Sequence, residues 1–268
     1  MRNSWFVPGW PAPAQVRAVC TTRGESSGDG ASRGAYRFFN LGDHVGDDSA
    51  AVSANRARLE RAIGARPVFL QQVHATHVLT LEPGTPNGLV ADAALTTTTG
   101  LACTIMVADC LPILLTNDRG SCVAALHAGW RGLAGGVIEA TLARFATLAA
   151  QPAASTRGKS ASGMTMAWLG PCIGPSAFEV GTDVYDAFVG IDSESADCFA
   201  PAGAGKFLAD LAGLARLRLR RAGVAEIYGN DSTSAWCTVN NEARFFSYRG
   251  ARRRNEKAGR FAACIWRA

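Results

Sequence analysis

Nothing in this sequence runs apolar for the ~18–20 residues that a membrane span needs, which sets helical membrane proteins aside. The opening segment, MRNSWFVPGWPAPAQVRAV, places two prolines around a tryptophan and has no apolar stretch of the kind an export signal carries, so the protein is expected in the cytoplasm. Charge is thin as well, at 18% of residues with a net value of +5. The arginines gather at 216–221 and 249–254 and form no long stripe interleaved with aromatics, so neither nucleic acid nor a membrane is an expected partner. Histidine is scarce, with four in all, at positions 44, 74, 77 and 127. The glycines of GLAGG (132–136) make no phosphate cradle or dinucleotide fingerprint, and no serine sits in a G-x-S-x-G elbow. Internal repeats and heptads are missing too.

What the chain does have is apolar material, 48% of 268 residues, enough for one large packed domain. Its eight cysteines fall largely inside that material. Cys103, Cys122 and Cys264 lie in apolar runs and Cys20 follows VRAV, so they read as small buried hydrophobes and all eight as reduced thiols. Strand-like runs occur at 16–20, 67–73, 101–108, 111–116, 121–127, 164–169 and 259–266. Helical periodicity occurs at 50–63, behind Ser49 as N-cap, at 133–149, and at 207–222, where Gly223 stops the helix. The small, polar stretch 151–163 (QPAASTRGKSASG) reads as a flexible loop within a single domain. Strands outnumber helices and do not alternate with them, which predicts an α+β fold rather than a doubly wound sheet.

Three strings concentrate chemistry: QQVHATH (71–77), ADCLP (108–112) and HAGWRG (127–132). Each puts a soft or borderline metal ligand at the end of an apolar strand: His74, Cys110 and His127. Taken singly, His127 reads as a capping or core histidine and Cys110 as a buried thiol. Together, with polar neighbours at three strand ends, two imidazoles and a thiolate make a set that suits Zn²⁺ with a fourth position open to water or substrate. Cu²⁺ also suits such a set. Asp109 beside Cys110 is poor packing material and a candidate acid/base. Asp92, in VADAAL, is a candidate either for orienting a metal-bound histidine or for moving a proton. Arg131 sits in the turn after His127, where free N–H groups at a helix start favour anions, and is a candidate for holding phosphate or carboxylate. His77, three residues after His74, faces away from it if the segment is a strand. His44, in a Gly/Asp turn, is open between a loop histidine and a substrate contact.

CTTRGE (20–25), FFNLGDHVGDD (38–48), LQQVHATHV (70–78), ADAALT (91–96), ADCLPILLT (108–116), AALHAGWRGLAGGV (124–137), LGPCIGPSAFEVG (169–181) and FFSYR (245–249) follow in order. In these the chain, from about residue 16 to 267, resembles the family variously called multicopper polyphenol oxidase (laccase) domain proteins, purine nucleoside phosphorylases and peptidoglycan editing factors. The resemblance implies a four-layer αββα sandwich with mixed sheets, akin to the cytotoxic-necrotizing-factor type of cysteine hydrolase. It implies a zinc held by His74, Cys110 and His127. It also implies phosphorolysis of adenosine, inosine, guanosine and methylthioadenosine, with adenosine deamination as a second activity. Purine nucleosides and phosphate are then the partners of a monomer, and Arg23, Asn40, His44, Gln72, Asp92, Arg131 and Arg249 the candidate contacts. The chain departs from the pattern after FFSYR, where a longer 249–260 connection replaces an Arg-Asp pair. Phe178 stands where tyrosine is usual, and the loop between CTTR and NLG is longer than usual.

The function classes separate by counting. A multicopper oxidase needs a blue-copper site and a three-copper cluster held mostly by imidazoles, more than four histidines supply. Met106 as an axial copper ligand is a stretch beside its simpler role as core filler. A structural zinc would want four protein ligands, and three are evident. A cysteine hydrolase, with Cys110 as nucleophile and His127 or His74 as its base, stands as the alternative to the phosphorylase. That hydrolase would act as a peptidoglycan-precursor editing factor.

Overall fold

A computed structural model of the protein describes residues 5–150 and 163–268. The loop expected at 151–163 therefore lies, apart from Gly163, outside the described residues. In chain order the elements are β1 (Val16–Cys20), α1 (Ser49–Ile63), β2 (Arg66–Phe69), β3 (Val78–Thr80), β4 (Ala93–Thr96), β5 (Leu101–Val107), β6 (Leu111–Asn117), β7 (Val123–Ala128), α2 (Trp130–Gly135), α3 (Val137–Ala149), β8 (Thr165–Leu169), β9 (Glu179–Gly181), α4 (Thr182–Val189), β10 (Phe199–Gly203), β11 (Lys206–Ala209), α5 (Leu211–Arg221), β12 (Glu226–Gly229), α6 (Tyr248–Arg253) and β13 (Phe261–Arg267).

Two mixed sheets carry the architecture. One has the order β1-β13-β5-β2, the other β12-β8-β6-β7-β4-β3, and a small third sheet runs β10-β11-β9. The inner strands β5, β6 and β7 are buried on both faces, which is why they read as continuous apolar runs and not as alternating ones. Between the sheets, Val68, Cys103, Ile105, Leu114, Ala125 and Ile265 form one core. On the outer face of the four-stranded sheet, Leu59 of α1 packs with Phe69, Met106 and Cys264. On the outer face of the six-stranded sheet, Ile138 and Phe145 of α3 and Leu214 and Leu219 of α5 pack over Ile113, Leu126 and Leu169. The layers are therefore helix, sheet, sheet, helix, the expected αββα order.

Local chemistry moves several expected boundaries. The N-cap of α1 is Asp48, whose carboxylate accepts from Ala50 N at 2.7 Å and Ala51 N at 3.2 Å; Ser49 is the first helical residue. The helix expected over 133–149 is two helices, because Gly136 adopts φ 97° and ends α2 before α3 starts. The expected helix 207–222 starts only at Leu211. Residues 206–209 pair instead with β10 and β9, and Asp210 caps the helix by accepting from Gly213 N at 2.8 Å.

The register explains how distant residues meet. Pro112 faces His127 across β6 and β7, and Ala93 faces Leu126 across β4 and β7. Cys110 and Asp92, each one step outside its strand, thus arrive beside His127 at the same sheet end. Residues Ala108–Cys110 also carry the chain from one sheet to the other, since β5 and β6 are sequential but lie in different sheets. Leu59, fully buried in the outer helical layer, tests this packing far from that sheet end. Leu59→Ala should lower stability by about 2–5 kcal/mol, read from chemical denaturation, while leaving metal stoichiometry unchanged.

Candidate metal centre and active site

His74 does not sit on a strand. It occupies a turn at φ 62°, a left-handed conformation that a non-glycine residue holds only when its surroundings fix it. The fixing group is Asp92, wholly buried. Its two carboxylate oxygens accept from the backbone N–H groups of Val73 (3.2 Å), His74 (2.8 Å) and Ala75 (2.8 Å). The same carboxylate lies 2.9 Å from His127 Nδ1, and the Asp92 carbonyl accepts from His127 N at 2.7 Å. One side chain therefore sets both imidazoles. With Nδ1 of His127 engaged, Nε2 is the nitrogen left for other work.

The third donor completes a cluster. Cys110 Sγ lies 3.6 Å from His74 Nε2, the two imidazole centroids are 4.7 Å apart, and one ligand atom from each of the three residues lies within 4.8 Å of the others. His127 is buried, Cys110 half-buried and His74 exposed, so the cluster opens toward His74. Gly129 leaves the room: a Cβ there would stand 2.7 Å from His74 Cδ2 and 3.0 Å from Cys110 Sγ. Two nitrogens, one sulfur and an open side match the preferences of Zn²⁺ in a site that keeps a position for water or substrate. Among the described residues this is the one group of three or more such side chains gathered closely enough to hold an ion. Met106 is not part of it: its sulfur meets Arg56 Nη2 at 3.8 Å under α1.

Electrostatics favour a thiolate. Burial by itself would push the Cys110 thiol up, but His127 and His74 together outweigh burial and bring it down to about 6. Burial likewise opposes charge on His127, yet Cys110 and the Asp92 hydrogen bond carry it up to about 9. Asp92 is held below the usual carboxylate range because the His127 and backbone N–H hydrogen bonds outweigh its burial. Asp109 goes the other way. Burial raises it, despite Thr238 Oγ1 and Arg249 N each donating to its carboxylate at 2.6 Å.

The family described as multi-copper polyphenol oxidoreductase laccase matches residues 17–268. The chain belongs to that family. A purine nucleoside phosphorylase of Pseudomonas aeruginosa is 45% identical over 98% of both chains. The Escherichia coli protein named purine nucleoside phosphorylase YfiH is 42% identical over 97% of this chain and 98% of its own. A Neisseria meningitidis protein of known crystal structure is 43% identical and superposes with a TM-score of 0.84 over 99% of both chains. YlmD of Geobacillus stearothermophilus superposes with a TM-score of 0.83 at 29% identity, over 99% of this chain and 96% of that one.

In this family member, a cavity of about 490 Å³ opens onto the cluster. His44, Gln72, Asp109, Arg249 and the three metal-ligand candidates line it. Gln72 holds Met106 by both its amide groups, Nε2 donating to Met106 O and Oε1 accepting from Met106 N, each at 2.8 Å. Its polar atoms are thus committed to pinning the wall. Asn40 works from behind the cavity, accepting from Arg260 N at 2.8 Å. Arg131 is exposed and does not line the cavity; its guanidinium stacks 4.3 Å over the Trp130 ring. Arg23 borders a different cavity. His77 is exposed as expected, but in a loop and not on a strand.

Sequence reasoning passed over Arg260, Tyr248 and Trp130, which also line the cavity. Their signals were present. Arg260 immediately precedes the apolar strand β13, as Asp92 precedes β4 and Cys110 precedes β6. The lengthened 249–260 connection contributes Arg249 at one end and Arg260 at the other. All eight cysteines are free, as expected.

Two measurements test the centre. Asp92→Asn presents an amide N–H to groups that donate, so metal affinity should fall by about 10–100-fold in a chelator competition titration. Alkylation of Cys110 in metal-stripped protein should report the thiolate. Its rate should be near maximal at pH 7 and fall about tenfold per pH unit below 6, as protonation removes the nucleophile. His127→Ala should move that inflection upward.

Proposed function

We propose that the protein is a purine nucleoside phosphorylase acting on adenosine, inosine, guanosine and methylthioadenosine, with adenosine deamination as a second activity at the same zinc site. The observation that carries this reading is the single cavity in which the His74–Cys110–His127 cluster meets two arginines, Arg249 and Arg260, and an apolar wall of Trp130, Ile173 and Phe178. Relatives named purine nucleoside phosphorylase match nearly the whole chain. Eight unpaired thiols suit the reducing cytoplasm.

His74, Cys110 and His127 would hold the metal; when bound, Zn²⁺ supplies Lewis acidity at this point of the cavity. The apolar wall suits a purine face. In phosphorolysis a phosphate oxygen bonds to C1′ of the ribose while the C1′–N9 bond breaks, and its electron pair leaves on the base, which takes a proton. Arg260 is suited to hold the phosphate, since no carboxylate pairs with it among the described residues and its guanidinium donates only to Ala258 O and Gly259 O. Arg249 donates to Ala177 O and Glu179 O and adds a second positive charge. In deamination water adds at C6 and ammonia leaves, and a group must carry the proton between them. Asp109 fits that task, because it lines the cavity and burial raises its carboxyl toward neutrality. Asp92 does not line the cavity and serves as a positioning residue.

One observation favours a rival. Asp92, His127 and Cys110 are ordered as orienting carboxylate, base and thiolate, the arrangement of a cysteine amide hydrolase. Product analysis separates the two. Metal-loaded protein should convert adenosine and phosphate to adenine and ribose 1-phosphate, and without phosphate should yield some inosine. Cys110→Ala should abolish both reactions. Arg260→Ala removes charge-assisted hydrogen bonds worth roughly 1.5–3 kcal/mol each, so phosphorolysis should fall at least about tenfold while deamination persists. Arg131→Ala should leave both rates unchanged. Untouched adenosine under both conditions, with an electrophilic amide labelling Cys110, would replace the phosphorylase by the hydrolase.

A further inference from the structure

A second cavity, of about 570 Å³, lies on the other side of α6 and shares no lining residue with the first. Its charged walls are Arg23, Arg37, Arg254 and Lys257 against Glu242 and Glu256. The two carboxylates are already spent. Arg254 grips Glu242 in a fork, with Nη1–Oε1 at 2.9 Å and Nη2–Oε2 at 2.6 Å, and its Nε donates to Glu256 Oε2 at 3.0 Å. Arg23 is half-buried and held only by neutral groups. It donates to Arg37 O at 3.1 Å and Glu242 O at 2.8 Å, and its guanidinium lies 4.8 Å over the Phe246 ring. That fixes its direction without neutralising its charge. No carboxylate hydrogen-bonds to it; burial and the nearby Arg37 lower its affinity for its proton, and Glu242 and Glu256 offset that only in part. Arg37 and Lys257 are exposed and pair with no carboxylate among the described residues.

We propose that this cavity is an anion site for the phosphate or diphosphate group of a small phosphorylated molecule. Three cations without carboxylate partners converge on one concave space, and a compact multivalent anion with several acceptor oxygens is the chemistry that satisfies them together. Arg23 supplies a pre-set, partly desolvated guanidinium. Arg37 and Lys257 close over the ligand from the exposed rim. The site is separate from the metal centre and does not depend on the reaction performed there. It is nevertheless mechanically close. A Cβ on Gly250 would stand against the Glu242 carboxylate, so that carboxylate lies directly on α6, and the residue before Gly250 is the cavity-lining Arg249.

The test is a calorimetric titration of metal-loaded protein with inorganic pyrophosphate and, separately, with adenosine diphosphate. The double variant Arg37→Ser/Lys257→Ser removes only rim side chains and should keep the circular dichroism and adenosine turnover of the parent. Its pyrophosphate affinity at the second site should fall at least tenfold, whereas Arg260→Ala in the first cavity should leave that site intact. Both ligands binding equally would assign the phosphate group alone as the recognised part; much tighter adenosine diphosphate binding would name a nucleotide as the source. A second reading needs no variant: saturating pyrophosphate should protect Lys257 from acylation, followed by mass spectrometry. Unchanged pyrophosphate binding in the double variant, or no protection of Lys257, would overturn the proposal.

Discussion

The site depends on one buried carboxylate. Asp92 has no exposure and four hydrogen-bond donors: three consecutive backbone N–H groups of the His74 turn and the imidazole of His127. A buried charge is costly unless fully partnered, and here the partners are the groups that must be aimed. The same bonds that stabilise Asp92 hold His74 in a left-handed conformation and fix the nitrogen that His127 presents. Without them the His74 turn would lose the groups that set its backbone, and two of three donors would lose their direction.

The second constraint is topological. Between β5 and β6 the chain leaves one sheet and enters the other within Ala108–Cys110. So short a passage between packed layers forces an unusual backbone, and Asp109 takes φ 88°. Its carbonyl accepts from Ile173 N, and its carboxylate accepts from Thr238 and from the first turn of α6. Asp109 thereby ties the crossing to both walls of the cavity. The residue that follows it, Cys110, is carried to the imidazoles by the antiparallel register of β6 and β7.

Electrostatics then give one sulfur two possible uses. Two imidazoles beside a half-buried thiol stabilise its anion, and a thiolate is both a zinc ligand and a nucleophile. The geometry that favours metal binding also satisfies the needs of a cysteine hydrolase, which is why product analysis and not shape separates them. The proposed phosphorylase reading rests on the surrounding cavity, whose arginines and apolar wall suit phosphate and purine.

Much of this was legible from the residues. The buried strands announced themselves as continuous apolar runs, and the three ligand residues stood out as polar or soft groups at strand ends. The short elements were not legible. β3, β9 and β11 have three or four residues each and gain their form from neighbours across a sheet, not from local periodicity. Phe207 and Leu208 fitted a helical face as well as a strand, and pairing with β9 and β10 decided the matter. Arg131 looked like a phosphate holder because it follows a glycine turn, but it is exposed, lies over the Trp130 ring and does not line the cavity. Residue type and strand-end position alone determined that Asp92, Cys110 and His127 stood out as candidates, since a carboxylate, thiol or imidazole there has little packing purpose. Only the tertiary structure decided which of them meet, because Asp92, Cys110 and His127 become neighbours through sheet register, and Arg249 and Arg260 through the path of α6, contacts between residues far apart in the chain that no local pattern records.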